Sequence, residues 1–382
     1  MQSWNEVVLD GHIILKWQDW SHPPDSHAPS GRAQQFLLVR EEPVMVYVTG
    51  AQRQDVVVVG DVATDVFIHI PDTNVAIRAE DGGQWLEIPF GTKLLCDKSA
   101  IVAAGGDAAN AAVAIARLGL RVALATFLAH DQFGRDLLVG LRVEKVGTNL
   151  VRIDDPAETN RNYILWYGAD RTIFVRHQSF NYHWPHLRPS EVPAWIYLTS
   201  VGPNALEYEH QILEWLGENP AVRLAFRPGT AQLEAGVEGL ADLCARSEVL
   251  ILAEDDAKAL LGDGSKETSD LLGGLLALGP HSVVLAMRDG GAQAADGDHR
   301  YVVPPFPDST PVYERTGATD AFAATLVAGL VCGFPMERAL KRAPVNAMSV
   351  KHEIGAQAGL LHEEALATYL DEAPADFAVQ VL

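Results

Sequence analysis

The sequence predicts an α/β protein of three layers, with a mostly parallel central sheet, helices on both of its faces, and a small β-sheet lid at its side. Three observations predict it. Short continuous apolar runs (VVVVG from Val56, WIYLTSV from Trp195, VLILA from Val249, SVVLAM from Ser282) are the mark of strands buried on both faces. Segments of helical periodicity alternate with these runs, as a parallel sheet with crossover helices requires. Two Ala-rich stretches led by glycine, Ala103–Gly119 and Gly317–Leu330, read as buried helices.

Composition narrows the class. A chain of 382 residues suffices for one large α/β domain with additions, or for two domains. A formal charge of −21 argues against a nucleic-acid or anionic-membrane surface, which needs Lys and Arg to neutralise phosphates, but leaves room for a small phosphorylated ligand in a local basic site. Cys96, Cys244 and Cys332 give neither a disulfide framework nor a CxxC metal pair, and read as buried thiols in a reduced cytosol. The N-terminus lacks a basic segment followed by an apolar core, and no apolar run has membrane-spanning length. A cytoplasmic protein is expected.

Taken in order, residues 1–52 form a β-rich extension. The β-prone runs Val7–Leu15 and Phe36–Val48 flank a Pro/His/Ser-rich connector, as a hairpin, an edge-shielding strand pair or a dimer element. The main domain spans 53–372. Its first strand ends at Gly60, with Asp61 and Asp65 at the carboxyl end where open α/β sheets bind ligands. Residues 66–100 alternate and carry turn residues, so they read as antiparallel lid strands. A second lid piece is expected over 163–178, where YILWY and RTIFVRHQ meet across Gly168–Asp170. Exposed edges of such strands invite pairing between subunits, so a homodimer through the lid is expected. Trp85, Phe90, Trp166 and Phe174 either pack the lid's own core or stack on a base, with packing favoured. His183 and His186 lack a third metal ligand nearby and read as a surface loop. Residues 373–382 read as a tail.

Two stretches carry the chemistry. In YERTGATDAFAATLVAGL, Gly317 allows a tight turn, Ala318 and Thr319 keep the approach free of bulk, and Asp320 stands on the first turn of a helix. Free amides at a helix N-terminus form an anion site. A carboxylate beside it is placed to take a proton from a hydroxyl attacking a bound phosphate. Read alone, Asp320 is equally well a helix-capping residue. The second stretch is GGDAANAAVAIARLG, in which Gly105 and Gly106 permit close backbone approach to a ligand or a hinge, or simply start a packing helix that carries Asn110.

With both stretches in view, the chain resembles the ribokinase-like (PfkB) family of carbohydrate and nucleoside kinases over about residues 55–370. VVVVGDVATD fits the family's opening strand, GG…N its first signature, HDQFG its Gly-Asp-Asp-x-x-Gly loop apart from His130, and TGATD its second signature. The resemblance implies a ribokinase-like sandwich, ATP and Mg²⁺, and phosphoryl transfer to a hydroxymethyl group of a sugar, sugar-like metabolite or nucleoside. It implies Asp320 as general base, Gly317, Ala318 and Thr319 as anion hole, and Asp65, Gly105, Gly106 and Asn110 as substrate-binding residues. It places Arg288, Thr316 and Asn346 on the nucleotide side, and Glu254 and Asp256 near the metal.

The departures fall mostly on the nucleotide side. Thr319 replaces the third glycine of Gly-Ala-Gly-Asp. Glu314-Arg315-Thr316 replaces Asp-Thr-Thr, a lead-in that helps bind a monovalent cation in many members, so Arg315 either supersedes that ion or abolishes its site. Ala253-Glu254-Asp255-Asp256 replaces Asn-x-x-Glu, and Ala286-Met287-Arg288 replaces Thr-x-Gly, where Arg288 either pairs with a phosphate or blocks it. Two functions are therefore weighed. One is an ATP-dependent kinase. The other is a ribokinase-fold protein without that activity, which binds a ligand, regulates, or performs other chemistry.

Overall fold

The computed structural model describes residues 3–9, 12–18, 54–71, 75–80, 83–154, 158–168, 170–262 and 267–382. The chain divides into two units, Met1–Thr49 and Gly50–Leu382. In the first, strands Ser3–Leu9 and His12–Gln18 pair antiparallel, with Val8 opposite Ile13. The expected single run Val7–Leu15 is thus divided between two strands. The run Phe36–Val48 lies outside the described residues.

The second unit is built on a nine-stranded sheet. Strands Val122–Ala125, Val56–Val59, Trp195–Leu198, Arg223–Phe226, Val249–Ala253 and Ser282–Ala286 lie side by side and parallel. Ala292–Asp296, Arg300–Val303 and Gln380–Val381 then extend the sheet antiparallel. The end of the expected tail is therefore an edge strand, paired through its backbone with Arg300–Val303. Val56–Val59 shows why the apolar runs are continuous. All four valines are fully buried, with Val56 and Val58 in the core on one face and Val57 and Val59 in the core on the other.

Helices Asp107–Arg117, Ala318–Val331 and Met336–Val350 cover the first face, and Leu206–Glu218, Gly236–Arg246 and Thr268–Leu276 the second. Helix Ala318–Val331 is apolar almost all round, and every residue from Asp320 to Gly329 is buried. Such a helix belongs inside the fold, and its first turn is delivered to the ligand-binding end of the sheet.

A four-stranded sheet stands beside this end, in the order Asp170–Arg176, Arg161–Tyr167, Ala63–His69, Lys98–Gly105. The lid expected over 66–100 begins earlier than read, at Ala63, and only its two ends enter this sheet. Between them Ala76–Glu80 and Gly83–Glu87 pair as a separate hairpin. The lid is anchored on the segment before helix Ala318–Val331. Lys98 Nζ donates to Tyr313 Oη at 3.1 Å, and the Trp166 and Tyr313 rings meet edge to face at 4.9 Å. Among the four singled-out lid aromatics, Trp166 is buried, whereas Trp85, Phe90 and Phe174 are exposed.

Candidate active site

Gly317 turns the chain into helix Ala318–Val331 with φ 80°, in the left-handed region. A Cβ there would sit 2.2 Å from Ala356 Cβ, so both backbone and space require glycine. The Ala321 amide makes the first helical bond, to Gly317 O at 2.8 Å. The amides of Thr319 and Asp320 precede it and have no acceptor within the helix, as an anion hole requires.

On one side of this turn lies a cluster of carboxylates. Asp320 is buried; its Oδ2 accepts from Asn110 Nδ2 at 2.8 Å, and its Oδ1 lies 3.1 Å from Arg227 Nη1. The same Arg227 nitrogen donates to Asp107 Oδ2 at 3.1 Å, so one guanidinium ties two carboxylates together. Burial, and then the charge of Asp107, push Asp320 up to about 6, against the opposing pull of Arg227, Asn110 and Arg171. Asp65 is buried and accepts from Asn162 Nδ2 at 2.8 Å; burial first, with help from Asp107 and Asp320, raises it to about 7. Asp61 is raised to about 7 by burial, although the Tyr182 hydroxyl donates to its Oδ2 at 2.6 Å. Its Oδ1 is buried without a hydrogen-bond partner.

Gly105, Gly106 and Asn110 on this side have close partners within the chain. A Cβ on Gly105 would meet Asp65 Oδ2 at 2.3 Å, and one on Gly106, at φ 84°, would meet the Ala63 nitrogen at 2.9 Å. The glycines make room for the root of the lid strand and for Asp65, and their approach is to the chain itself. Asn110 is likewise engaged at both ends, by Asp320 and by Gln357 Nε2 at 3.1 Å, so it orients the carboxylate. Arg227 was not singled out from sequence. The only signal was a cation directly after an apolar strand, at the edge where such sheets bind ligands.

On the other side of the turn is a cleft of about 230 Å³ whose walls include Ala318, Thr319, Arg171, Arg288, Arg315 and Lys351. Lys351 is half-buried, and burial together with Arg315 lowers its pKa. Glu254 and Asp255 also line the cleft. Glu254 Oε1 is held by Lys258 at 3.0 Å and by the Thr268 hydroxyl at 3.2 Å. Mg²⁺ takes one or two carboxylates beside substrate phosphates, which this pair fits. Asp256 is not part of the cleft wall; it lies within Coulomb range of Arg227 and Asp107, and burial raises its pKa. The first turn of helix Glu254–Leu260 carries three successive acids, and the helical rotation sends the third away from the cleft. No group of three metal-ligating side chains occurs among the described residues.

Three further nucleotide-side positions have partners within the chain. Thr316 directs its hydroxyl and its amide to Glu314 Oε1, at 2.6 and 2.8 Å, and not to the cleft. Asn346 is fully buried, donates to Thr325 Oγ1 at 2.9 Å and accepts from the Leu361 amide at 2.9 Å. Its neighbour Ala347, with Lys351 one turn on, lines the cleft instead. Finally, Glu314 is fully buried and lies 3.5 Å from Arg171 Nε, so the guanidinium beside it comes from the lid and not from Arg315.

Comparison with known proteins gives the family and the fold. A family model described as pfkB family carbohydrate kinase matches residues 97–363. A 2-dehydro-3-deoxygalactonokinase of Haloferax volcanii is 27% identical over 272 residues, covering 67% of this chain and 84% of that protein. Among solved structures, ribokinase of Cryptococcus neoformans var. grubii in complex with ADP superposes with a TM-score of 0.66 at 24% identity, covering 83% of this chain and 99% of that one. Ribokinase of Arabidopsis thaliana complexed with ribose and ATP gives a TM-score of 0.68 at 18% identity, covering 84% and 100%.

Proposed function

This chain belongs to the pfkB family of carbohydrate kinases and has the ribokinase fold, and from that premise we propose that it transfers the γ-phosphoryl group of ATP to a hydroxymethyl group of a sugar, sugar acid or nucleoside. One observation carries the reading: a buried carboxylate, Asp320, stands on the first turn of a central helix, with acids on one side and a cation-lined cleft on the other.

The acceptor hydroxyl sits against Asp320, with Asp65 accepting from its neighbouring hydroxyls. Its oxygen attacks the γ-phosphorus, its proton passes to Asp320, and the bond from phosphorus to the departing ADP oxygen breaks. Asn110 and Arg227 keep the carboxylate in place and ionised near neutral pH. The amides at Gly317–Asp320 receive the charge of the transferred group. Glu254 and Asp255 would hold Mg²⁺ beside the phosphates, where the ion would supply neutralisation of their charge. Lining of the cleft by Arg288 and Lys351 supports the phosphate-pairing role of Arg288 over a blocking one.

The test is ADP release by the purified protein with Mg²⁺ and ATP across a panel of acceptors: a 2-dehydro-3-deoxy sugar acid, fructose, ribose and nucleosides. Acceptor-dependent release, with a new phosphomonoester on a primary hydroxyl by phosphorus NMR, is expected. Neither nucleotide binding nor transfer with any acceptor would favour the ribokinase-fold protein without kinase activity.

We also propose a homodimer through the lid. Phe174, Tyr163, Val66 and Ile101 are successive cross-strand neighbours, and Phe174 and Ile101 are 56% and 69% exposed. A row of apolar side chains across all four strands suits burial against a second copy. Solution scattering should give twice the monomer mass, reduced to one by Ile101→Asp; a monomeric wild-type protein contradicts this.

A further inference from the structure

The nucleotide cleft takes one of its four basic side chains from the lid. Arg171 is at the start of strand Asp170–Arg176, directly paired across the hairpin with Trp166. Trp166 is buried against Tyr313, so this end of the lid is fixed to the segment that leads into the anion hole. Arg171 Nε then lies 3.5 Å from Oε1 of Glu314, a fully buried carboxylate. At that distance neither partner is fully satisfied. Arg171 Nε is buried without a hydrogen bond, and so is Glu314 Oε2. The guanidinium is held in place electrostatically while keeping its planar donor fork for another anion. Arg171 lines the cleft together with Ala318 and Thr319, and it is near enough to Asp320 to act on its charge.

From this placement we infer that Arg171 is a catalytic residue that the lid supplies to the transferred phosphoryl group, with Glu314 as its positioning partner. The inference rests on the kinase reading above. As the acceptor oxygen bonds to the γ-phosphorus and the bond to ADP breaks, charge spreads over the three equatorial oxygens, and a guanidinium fixed at the anion hole stabilises that charge more than it stabilises bound ATP.

The inference is tested with MgADP and fluoroaluminate, a mimic of the phosphoryl group in transit, which needs no knowledge of the acceptor. Calorimetry of the wild-type protein should show that fluoroaluminate tightens MgADP binding at least tenfold. In Arg171→Ala the tightening should vanish while MgADP alone binds within about threefold of wild type. Arg171→Lys should keep part of the effect, since it retains charge without the fork. In turnover with the acceptor found by the panel, Arg171→Ala should lower kcat by about 100-fold or more with little change in KM for ATP. Millimolar guanidinium should recover part of that loss, which a merely misfolded variant would not show. Equal tightening in wild type and Arg171→Ala would overturn the role of Arg171 and leave the kinase reading standing. Absence of MgADP binding by both proteins would overturn the kinase reading, and this inference with it.

Discussion

The two sides of the first turn of helix Ala318–Val331 are opposite in charge. The side with Asp61, Asp65, Asp107 and Asp320 is acidic, and the guanidinium of Arg227 is set among its carboxylates. The cleft side gathers Arg171, Arg288, Arg315 and Lys351, in a chain whose overall formal charge is −21. Burial acts on both, raising the acids on one side and lowering Lys351 on the other. The contrast teaches what each side is for. Buried carboxylates are good acceptors for the hydroxyls of a neutral or weakly charged polyol, and they repel a polyphosphate. Clustered cations do the reverse. Asp320 stands where the two meet, so the proton leaves toward the acidic side as the phosphoryl group leaves the basic one.

That contrast can be broken from either side. Of the changes at Asp65, Arg288 and Arg227, Asp65→Ala should have the largest effect. With two charge-assisted hydrogen bonds lost, at about 1.5–3 kcal/mol each, kcat/KM for the acceptor should fall about 100-fold or more, while calorimetry finds MgADP binding unchanged. Arg288→Ala should act on the opposite substrate, raising KM for ATP about tenfold with the acceptor KM intact in the same steady-state assay. Arg227→Met sharpens the contrast by removing the cation among the acids. Without it, Asp320 holds its proton to higher pH, so the acidic limb of the kcat/KM profile should move upward by about one pH unit. The loss should therefore be larger at pH 6 than at pH 8, and a uniform loss at both would make Arg227 purely structural.

Much of this arrangement was legible in the sequence. Val56–Val59 reads as a doubly buried strand because its neighbours leave no polar face, and Gly317-Ala318-Thr319-Asp320 before an apolar run reads as a helix start with an anion site. Local chemistry sets both. The lid's strand pair around 163–178 was visible for the same reason. What escaped was set by contacts between distant segments. Asp107, Arg227 and Asp320 are separated by about a hundred residues each way, and nothing local marks them as a cluster. Ala292–Asp296, sequence AQAAD, has little strand propensity and is a strand through its pairing with Ser282–Ala286. Gln380–Val381 is a strand only because it meets Arg300–Val303. Asn346 and Asp256 were placed on the site by resemblance of position, but helical rotation carries both off the cleft wall and brings Ala347 and Asp255 to it. Thr316 was lost to the site by a short-range bond to Glu314, whose complete burial no local signal announced.

The central claim is that Asp320 takes the acceptor's proton, and the most direct measurement of it compares wild type with Asp320→Asn in acceptor-dependent ADP formation from pH 5 to 9, with MgATP calorimetry on both. A carboxylate raised to about 6 predicts a wild-type kcat/KM that gains a limb of about tenfold per pH unit below that point, in addition to the titration of Asp65 at about 7 that both proteins share. The variant should be slower by about 1,000-fold and lack that limb, while binding MgATP within about threefold of wild type. Comparable turnover in the variant, or the same pH profile in both proteins, would contradict it.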